Sequence, residues 1–198
     1  HIIYMSLQEI KPGTGHLDYL VSKEIIKTLP FWKNLNVTPN ILTTFGLISS
    51  VICLYALTNR QTLLAIIMLC SRWYFDYADG LMARKYKMVT VIGDYYDHIT
   101  DIVFTLGLFS VVLLSKYPKK SNLKKILVVI LLSFYFMFSL NYSAVELEYY
   151  KKNKKETMLS KLRHIAPSNV DFFKYFDNSV LYLSVILVIF LFCNYNNI

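Results

Sequence analysis

The chain has 198 residues, of which 55% are hydrophobic and only 17% charged, with a mean hydropathy of +0.41. That excludes an ordinary soluble domain, whose helices would need polar faces that the long apolar runs here do not offer. In so apolar a chain the formal net charge of +8 points to membrane topology and contact with anionic lipid, and away from nucleic acid.

Taken in order, the first readable element is "LDYLVSKEIIKTLPFW" (17–32). Leu17, Leu20, Val21, Ile25, Ile26 and Leu29 recur near helical spacing while Lys23, Glu24 and Lys27 face elsewhere, so the stretch reads as a helix lying on the membrane surface. The competing reading is an amphipathic helix packed on a neighbouring element. Five apolar runs follow, at 41–58, 61–83, 89–115, 125–145 and 179–194. Each is about long enough to cross a ~30 Å hydrocarbon core at 1.5 Å per residue. The first run comes too late and is too long for a cleavable signal peptide.

"SKYPKKSNLKK" (115–125) and "YYKKNKKE" (149–156) are polar breaks. The stretch 160–178 is too mixed to span and reads as a loop or surface helix. The three cysteines, Cys53, Cys70 and Cys193, lie in apolar runs without metal-type spacing and read as buried free thiols. No repeat or low-complexity tract divides the chain. It reads as one all-α, polytopic membrane domain over 1–198, with a surface helix at 17–32, a binding core at 39–101 and further helices and loops at 102–198.

Basic residues set the expected orientation. With the N-terminus and the 84–88 turn in the cytoplasm, fourteen Lys and Arg residues fall inside and six outside, with Arg72 inside a span. The lysine-rich 116–125 loop argues the other way.

The chemistry concentrates in "DYADGLMARKYKMVTVIGDYYDHITD" (76–101), which holds five of the chain's eight aspartates. Asp76 and Asp79 are three apart and share one helical face. Gly93, Asp97 and Asp101 are four apart and share a face of the next helix. A turn at 84–88 would bring the two faces together near one membrane surface. Asp76 lies about 12 Å along a helix from Arg84, below the headgroups, where an unpaired carboxylate costs at least a few kcal/mol. Four converging carboxylates with no cysteine suit a pair of hard cations, Mg²⁺, Mn²⁺ or Ca²⁺, and a metal pair can clamp a diphosphate. Helix–helix hydrogen bonding explains one aspartate, paired with Arg72, but not four. A proton or cation pathway, or a structural subunit, is the non-enzymatic rival. Gly80 and Gly93 leave room at the backbone and Arg84 supplies a fixed cation. Together these favour a nucleoside diphosphate over a bare ion.

These residues resemble a known family. Asp76, Asp79, Gly80, Ala83, Arg84, Gly93, Asp97 and Asp101 stand at the fixed positions of the CDP-alcohol phosphotransferase signature, and "PNILTTFG" (39–46) resembles the start of that family's first membrane helix. The residue match covers about 39–101; beyond it only the hydrophobic pattern agrees. The resemblance implies a phospholipid-synthesis enzyme that transfers a substituted phosphate from a CDP-linked alcohol or lipid to an acceptor alcohol, releasing CMP. It implies Asp76, Asp79 and Asp97 as metal ligands, Asp101 as ligand and general base, and two Mg²⁺ or Mn²⁺ ions. Gly80, Ala83, Arg84 and Gly93 would line the nucleotide, with Asn40, Thr43 and Thr90 as further members of that pocket. It also implies six membrane helices and a homodimer; the basic-residue count places the active site towards the cytoplasm.

Several of these residues carry a plainer reading. Asn40 and Thr43 could simply start a helix after Pro39, and Thr90 could cap the third. Asp94 fits the helix dipole better than a ligand role. His98 reads equally as a hydrogen-bonding neighbour of the site or as an interfacial histidine with no role. Arg72 is expected to pair with Asp76. CDP-diacylglycerol is the favoured donor, with CDP-choline or CDP-ethanolamine acting on diacylglycerol as the alternative. Ile102, where a cation often follows the last aspartate in users of phosphate-bearing acceptors, disfavours such acceptors unless Arg163 or His164 substitutes.

Overall fold

The computed structural model describes residues 10, 14–115, 121–153 and 160–194. Within them the helices are α1 (His16–Ile25), α2 (Leu29–Asn34), α3 (Pro39–Thr58), α4 (Thr62–Lys85), α5 (Val91–Leu114), α6 (Ser121–Asn153), the single-turn α7 (Val170–Phe173) and α8 (Asn178–Asn194), with a 3₁₀ segment at Ser160–Ile165. The described residues contain no strand.

Tight connections hold the first half of the bundle. At the ends of α2, α3 and α4 the chain turns through Asn36, Arg60 and Lys87, each at a φ near +57° (56°, 57° and 56°). In each case the residue at positive φ donates its N–H to a carbonyl of the last turn, and the next residue reaches one carbonyl further back. Lys87 donates to Arg84 at 3.3 Å and Met88 to Ala83 at 2.8 Å. This is the Schellman closure, made here without glycine, at about 1 kcal/mol of backbone strain apiece. The Lys87 closure turns the chain from α4 towards α5, and both helices pack on α3.

The expected surface helix at 17–32 is two helices. Pro30 has no N–H to continue the ladder of α1, so it stands instead in the first turn of α2, where none is needed. Ile25, Ile26 and Leu29 are buried against Leu42, Ala78, Leu81 and Met82, while Leu17 and Leu20 remain exposed. A second core joins Cys53 and Leu57 of α3, Leu69 of α4, Phe104 and Leu108 of α5, Leu127 and Leu131 of α6, and Val188, Ile189 and Phe192 of α8. Around it Val51, Leu63, Leu106, Val129, Phe136 and Leu187 point outward. A soluble protein would not leave such a belt bare; it is the lipid face of a membrane helix bundle.

Five long helices occupy the five apolar runs. Three are long and apolar enough to cross a membrane by length and composition: Pro39–Thr58, Val91–Leu114 and Asn122–Glu148. The charges of Arg72, Asp76, Asp79, Arg84 and Lys85 set α4 apart, and α8 has only 17 residues. The polar break at 149–156 is helical as far as Asn153, so the 33 residues of α6 run about 50 Å and its polar end leaves the hydrocarbon region. The stretch 160–178 forms short turns, and no sixth long helix occurs among the described residues. Lys116, Lys119, Lys120, Lys154 and Lys155 lie outside the described residues. Cys53 and Cys193 are buried free thiols, but Cys70 is exposed on the outer face of α4.

Candidate active site

The two acidic faces meet as the spacing suggests. Asp76 and Asp79 project from α4 and Asp97 and Asp101 from α5 into one cavity of about 620 Å³. Asn40, Thr43, Gly80, Ala83, Arg84, Thr90 and Gly93 line the same cavity. The four carboxyl groups lie close enough for the charge of each to act on others of the set.

Three of the four carboxylates are held by different elements. Asp79, buried, accepts a hydrogen bond from Thr43 Oγ1 on α3 at 2.5 Å. Asp76 accepts one from the side-chain amide of Asn178 on α8 at 3.0 Å. Asp101 accepts one from the guanidinium of Arg72. The expected Arg72–Asp76 hydrogen bond is therefore replaced. Arg72 is buried beneath Phe104 of α5, 4.5 Å from the ring centre, and its other terminal nitrogen donates to Ser50 of α3 at 2.8 Å. Those flanking partners swing the guanidinium across to α5 and away from its own helix.

The remaining residues resolve individually. Thr90 caps α5, its hydroxyl accepting from the Gly93 amide at 3.0 Å. Asn40 follows Pro39 in the first turn of α3, with its carboxamide oxygen directed at Gly93: a Cβ there would stand 2.9 Å from it and from Thr90 Oγ1. At Gly80 a Cβ would stand 3.2 Å from the Arg84 guanidinium. Asp94 lies in the first turn of α5, 3.7 Å from His98 Nε2. His98 also stands edge-on to Tyr142 of α6, ring centres 6.4 Å apart. His164 is exposed and does not line the cavity, and the Arg163 side chain lies outside the described residues.

One ligand atom from each of Asp97, His98 and Asp101 falls within 4.8 Å of the other two. The carboxylate oxygens suit a hard ion such as Mg²⁺ or Mn²⁺ and the imidazole a softer one, so the donor set fits a divalent ion without selecting which. This geometry gives His98 a place that its sequence position left open. Sequence reasoning missed Asn178 altogether. It stands about a hundred residues from Asp76, and no spacing rule joins them; the one legible signal nearby is Asp177, a helix-capping residue type before an apolar run.

No curated protein and no solved structure matched the chain. A family model described as CDP-alcohol phosphatidyltransferase matches residues 36–193, which takes in α3 to α7, nearly all of α8 and the four cavity aspartates Asp76, Asp79, Asp97 and Asp101. The chain therefore belongs to the CDP-alcohol phosphatidyltransferase family, membrane transferases of phospholipid synthesis that use divalent metal ions to pass a phosphate-linked group from a CDP-alcohol to an acceptor alcohol.

Proposed function

We propose that the protein is a multi-pass phosphatidyltransferase, one domain over 1–198, that takes CDP-diacylglycerol as donor, works at the cytoplasmic membrane surface and acts as a homodimer. The observation that carries the reading is the convergence of every signature residue on one cavity between α4 and α5. The excess of basic residues on one side supports the orientation.

In this reading Asp76, Asp79, Asp97 and Asp101 hold two divalent ions, Mg²⁺ or Mn²⁺. When bound, these ions neutralise the diphosphate and the charge that gathers on departing CMP. Arg84 binds a donor phosphate, and Gly80, Ala83 and Gly93 leave room for the nucleotide beside Asn40 and Thr90. Thr43 orients Asp79 by its hydrogen bond. The acceptor hydroxyl attacks the phosphorus that bears the lipid, a new P–O bond forms, and the P–O bond to CMP breaks. The hydroxyl proton passes to Asp101, whose carboxylate Arg72 holds in place.

A second reading, CDP-choline or CDP-ethanolamine acting on diacylglycerol, draws support from the cavity wall beyond Asp101. Ile102, Phe104, Tyr135, Phe138, Leu181 and Val185 give an apolar wall suited to an acyl-chain acceptor. Purified protein with Mg²⁺ or Mn²⁺ is assayed for CMP release, first with CDP-diacylglycerol plus serine, inositol or glycerol phosphate, then with CDP-choline or CDP-ethanolamine plus diacylglycerol. CMP in the first set supports the main reading and CMP only in the second supports the alternative. No CMP in either overturns the enzymatic assignment.

A further inference from the structure

Two elements outside the signature, α1 and α8, close around Asp76. Asp177 precedes α8 and caps it, its carboxylate accepting from Val180 N–H at 3.1 Å. The other oxygen of Asp177 accepts from Asp18 N–H in the first turn of α1 at 2.9 Å. Asp18 returns the contact. Its carboxylate accepts the backbone N–H of Asn178 at 3.2 Å, the N–H of Ser179 at 2.7 Å and the Ser179 hydroxyl at 2.6 Å. Tyr77, next in sequence to Asp76, donates its hydroxyl to the same Asp18 carboxylate. Two helix starts are thus capped by each other's acid, and α4 is tied to both. The residue fixed at the centre is Asn178, whose side-chain amide donates to Asp76 Oδ2 at 3.0 Å.

The approach is close enough to exclude a side chain. A Cβ on Gly15, just before α1, would run into the Asp177 side chain and stand 2.5 Å from the Lys174 carbonyl oxygen. Glycine is required there by space; its φ of −63° is ordinary. The clasp thus depends on a residue that does not line the cavity.

We propose that Asn178 is a positioning residue for the metal-binding carboxylate Asp76, and that the Asp18–Asp177 clasp, seated on Gly15, fixes its place. The inference rests on the functional reading above, in which Asp76 is a metal ligand. A carboxylate oxygen that already accepts a hydrogen bond has fewer lone-pair directions left, so Asn178 sets which oxygen and which angle Asp76 presents to the cavity. Partners of this kind orient ligands, and losing one typically lowers metal affinity about 10- to 100-fold.

The test uses the full chain in detergent and Mn²⁺ as probe. Mn²⁺ binding is measured by electron paramagnetic resonance titration, and CMP release is measured across Mn²⁺ concentrations. The variants are Asn178→Ala, Asn178→Leu, which keeps the branched shape and removes the donor, and Gly15→Ala. Each is expected to weaken Mn²⁺ binding, the Asn178 pair by about tenfold, and to raise the Mn²⁺ concentration for half-maximal CMP release in proportion. Saturating Mn²⁺ is expected to restore kcat, as misfolding would not allow. Mn²⁺ affinity within about threefold of wild type in both Asn178 variants, or turnover that stays lost at saturating Mn²⁺, overturns the role of Asn178. Unchanged Mn²⁺ affinity in Gly15→Ala overturns the role of the clasp. Wild-type protein that neither binds Mn²⁺ nor releases CMP sinks the functional reading and this inference with it, whereas wild-type binding matched by the Asn178 variants sinks this inference alone.

Discussion

Arg72 on α4 donates to Asp101 on α5 with one terminal nitrogen and to Ser50 on α3 with the other. One buried guanidinium thereby ties three helices together and orients the aspartate proposed as the base. A lysine has no planar fork and cannot make both bonds from the same position. Arg72→Lys is expected to lower kcat about tenfold while KM for the CDP-alcohol stays within about twofold, since Asp101 is displaced but the nucleotide wall is untouched. Steady-state CMP release checks both parameters.

Asp101→Asn keeps the shape and removes the proposed base. Turnover is expected to fall at least about 100-fold, the scale of general-base catalysis. CDP-alcohol binding, followed by isothermal titration, is expected to survive. Unchanged turnover would remove Asp101 from the chemistry.

Gly93 and Gly46 make a matched pair. At Gly93 a Cβ would crowd Asn40 Oδ1 and Thr90 Oγ1 at 2.9 Å, and Thr90 is the cap of α5. Gly93→Ala is expected to disturb that cap, at a stability loss of about 1 kcal/mol, and to raise KM for the CDP-alcohol several-fold, about fivefold, by narrowing the cavity. At Gly46, inside α3, a Cβ would stand 3.6 Å from Phe75 Cβ, an ordinary contact. Gly46→Ala is expected to stabilise the protein by about 0.5–1 kcal/mol through helix propensity with KM unchanged. Thermal melts in detergent and substrate titrations separate the two.

Asp18 confers a pH dependence of stability. Burial of its carboxyl, and then the charge of Asp177, push its pKa up to about 6, against the opposing hydrogen bonds from Ser179 and Tyr77. The folded state therefore binds the Asp18 proton more tightly than the unfolded chain does. The stabilising contribution is complete below the ordinary value of 3.8, declines as pH rises from about 4, and is gone above about 6. Asp18→Asn mimics the protonated form and is expected to flatten this decline. Melting temperatures of both proteins between pH 4 and pH 7 test it: the wild type should lose stability relative to the variant as pH rises. A constant difference would show that Asp18 does not titrate in this range.

Local information carried much of this protein. Apolar runs long enough to cross a membrane can be satisfied only as helices, and all five long helices sit on them. The i, i+3 and i+4 spacings of Asp76, Asp79, Asp97 and Asp101, with a turn between, fix which faces the acids share, because helix geometry is set within a few residues. Boundaries were less legible: Pro30 divided the surface helix in two, and α6 ran into a lysine-rich stretch as far as Asn153, since charged residues are good helix formers once the helix has left the lipid. What only the tertiary structure decided is which partner each acid receives. Thr43, Asn178 and Arg72 reach Asp79, Asp76 and Asp101 from α3, α8 and α4, and Arg72 passes over the aspartate four residues along its own helix for one on the next. Such choices depend on how helices far apart in sequence pack, and packing is a property of the whole bundle that no spacing within one segment encodes.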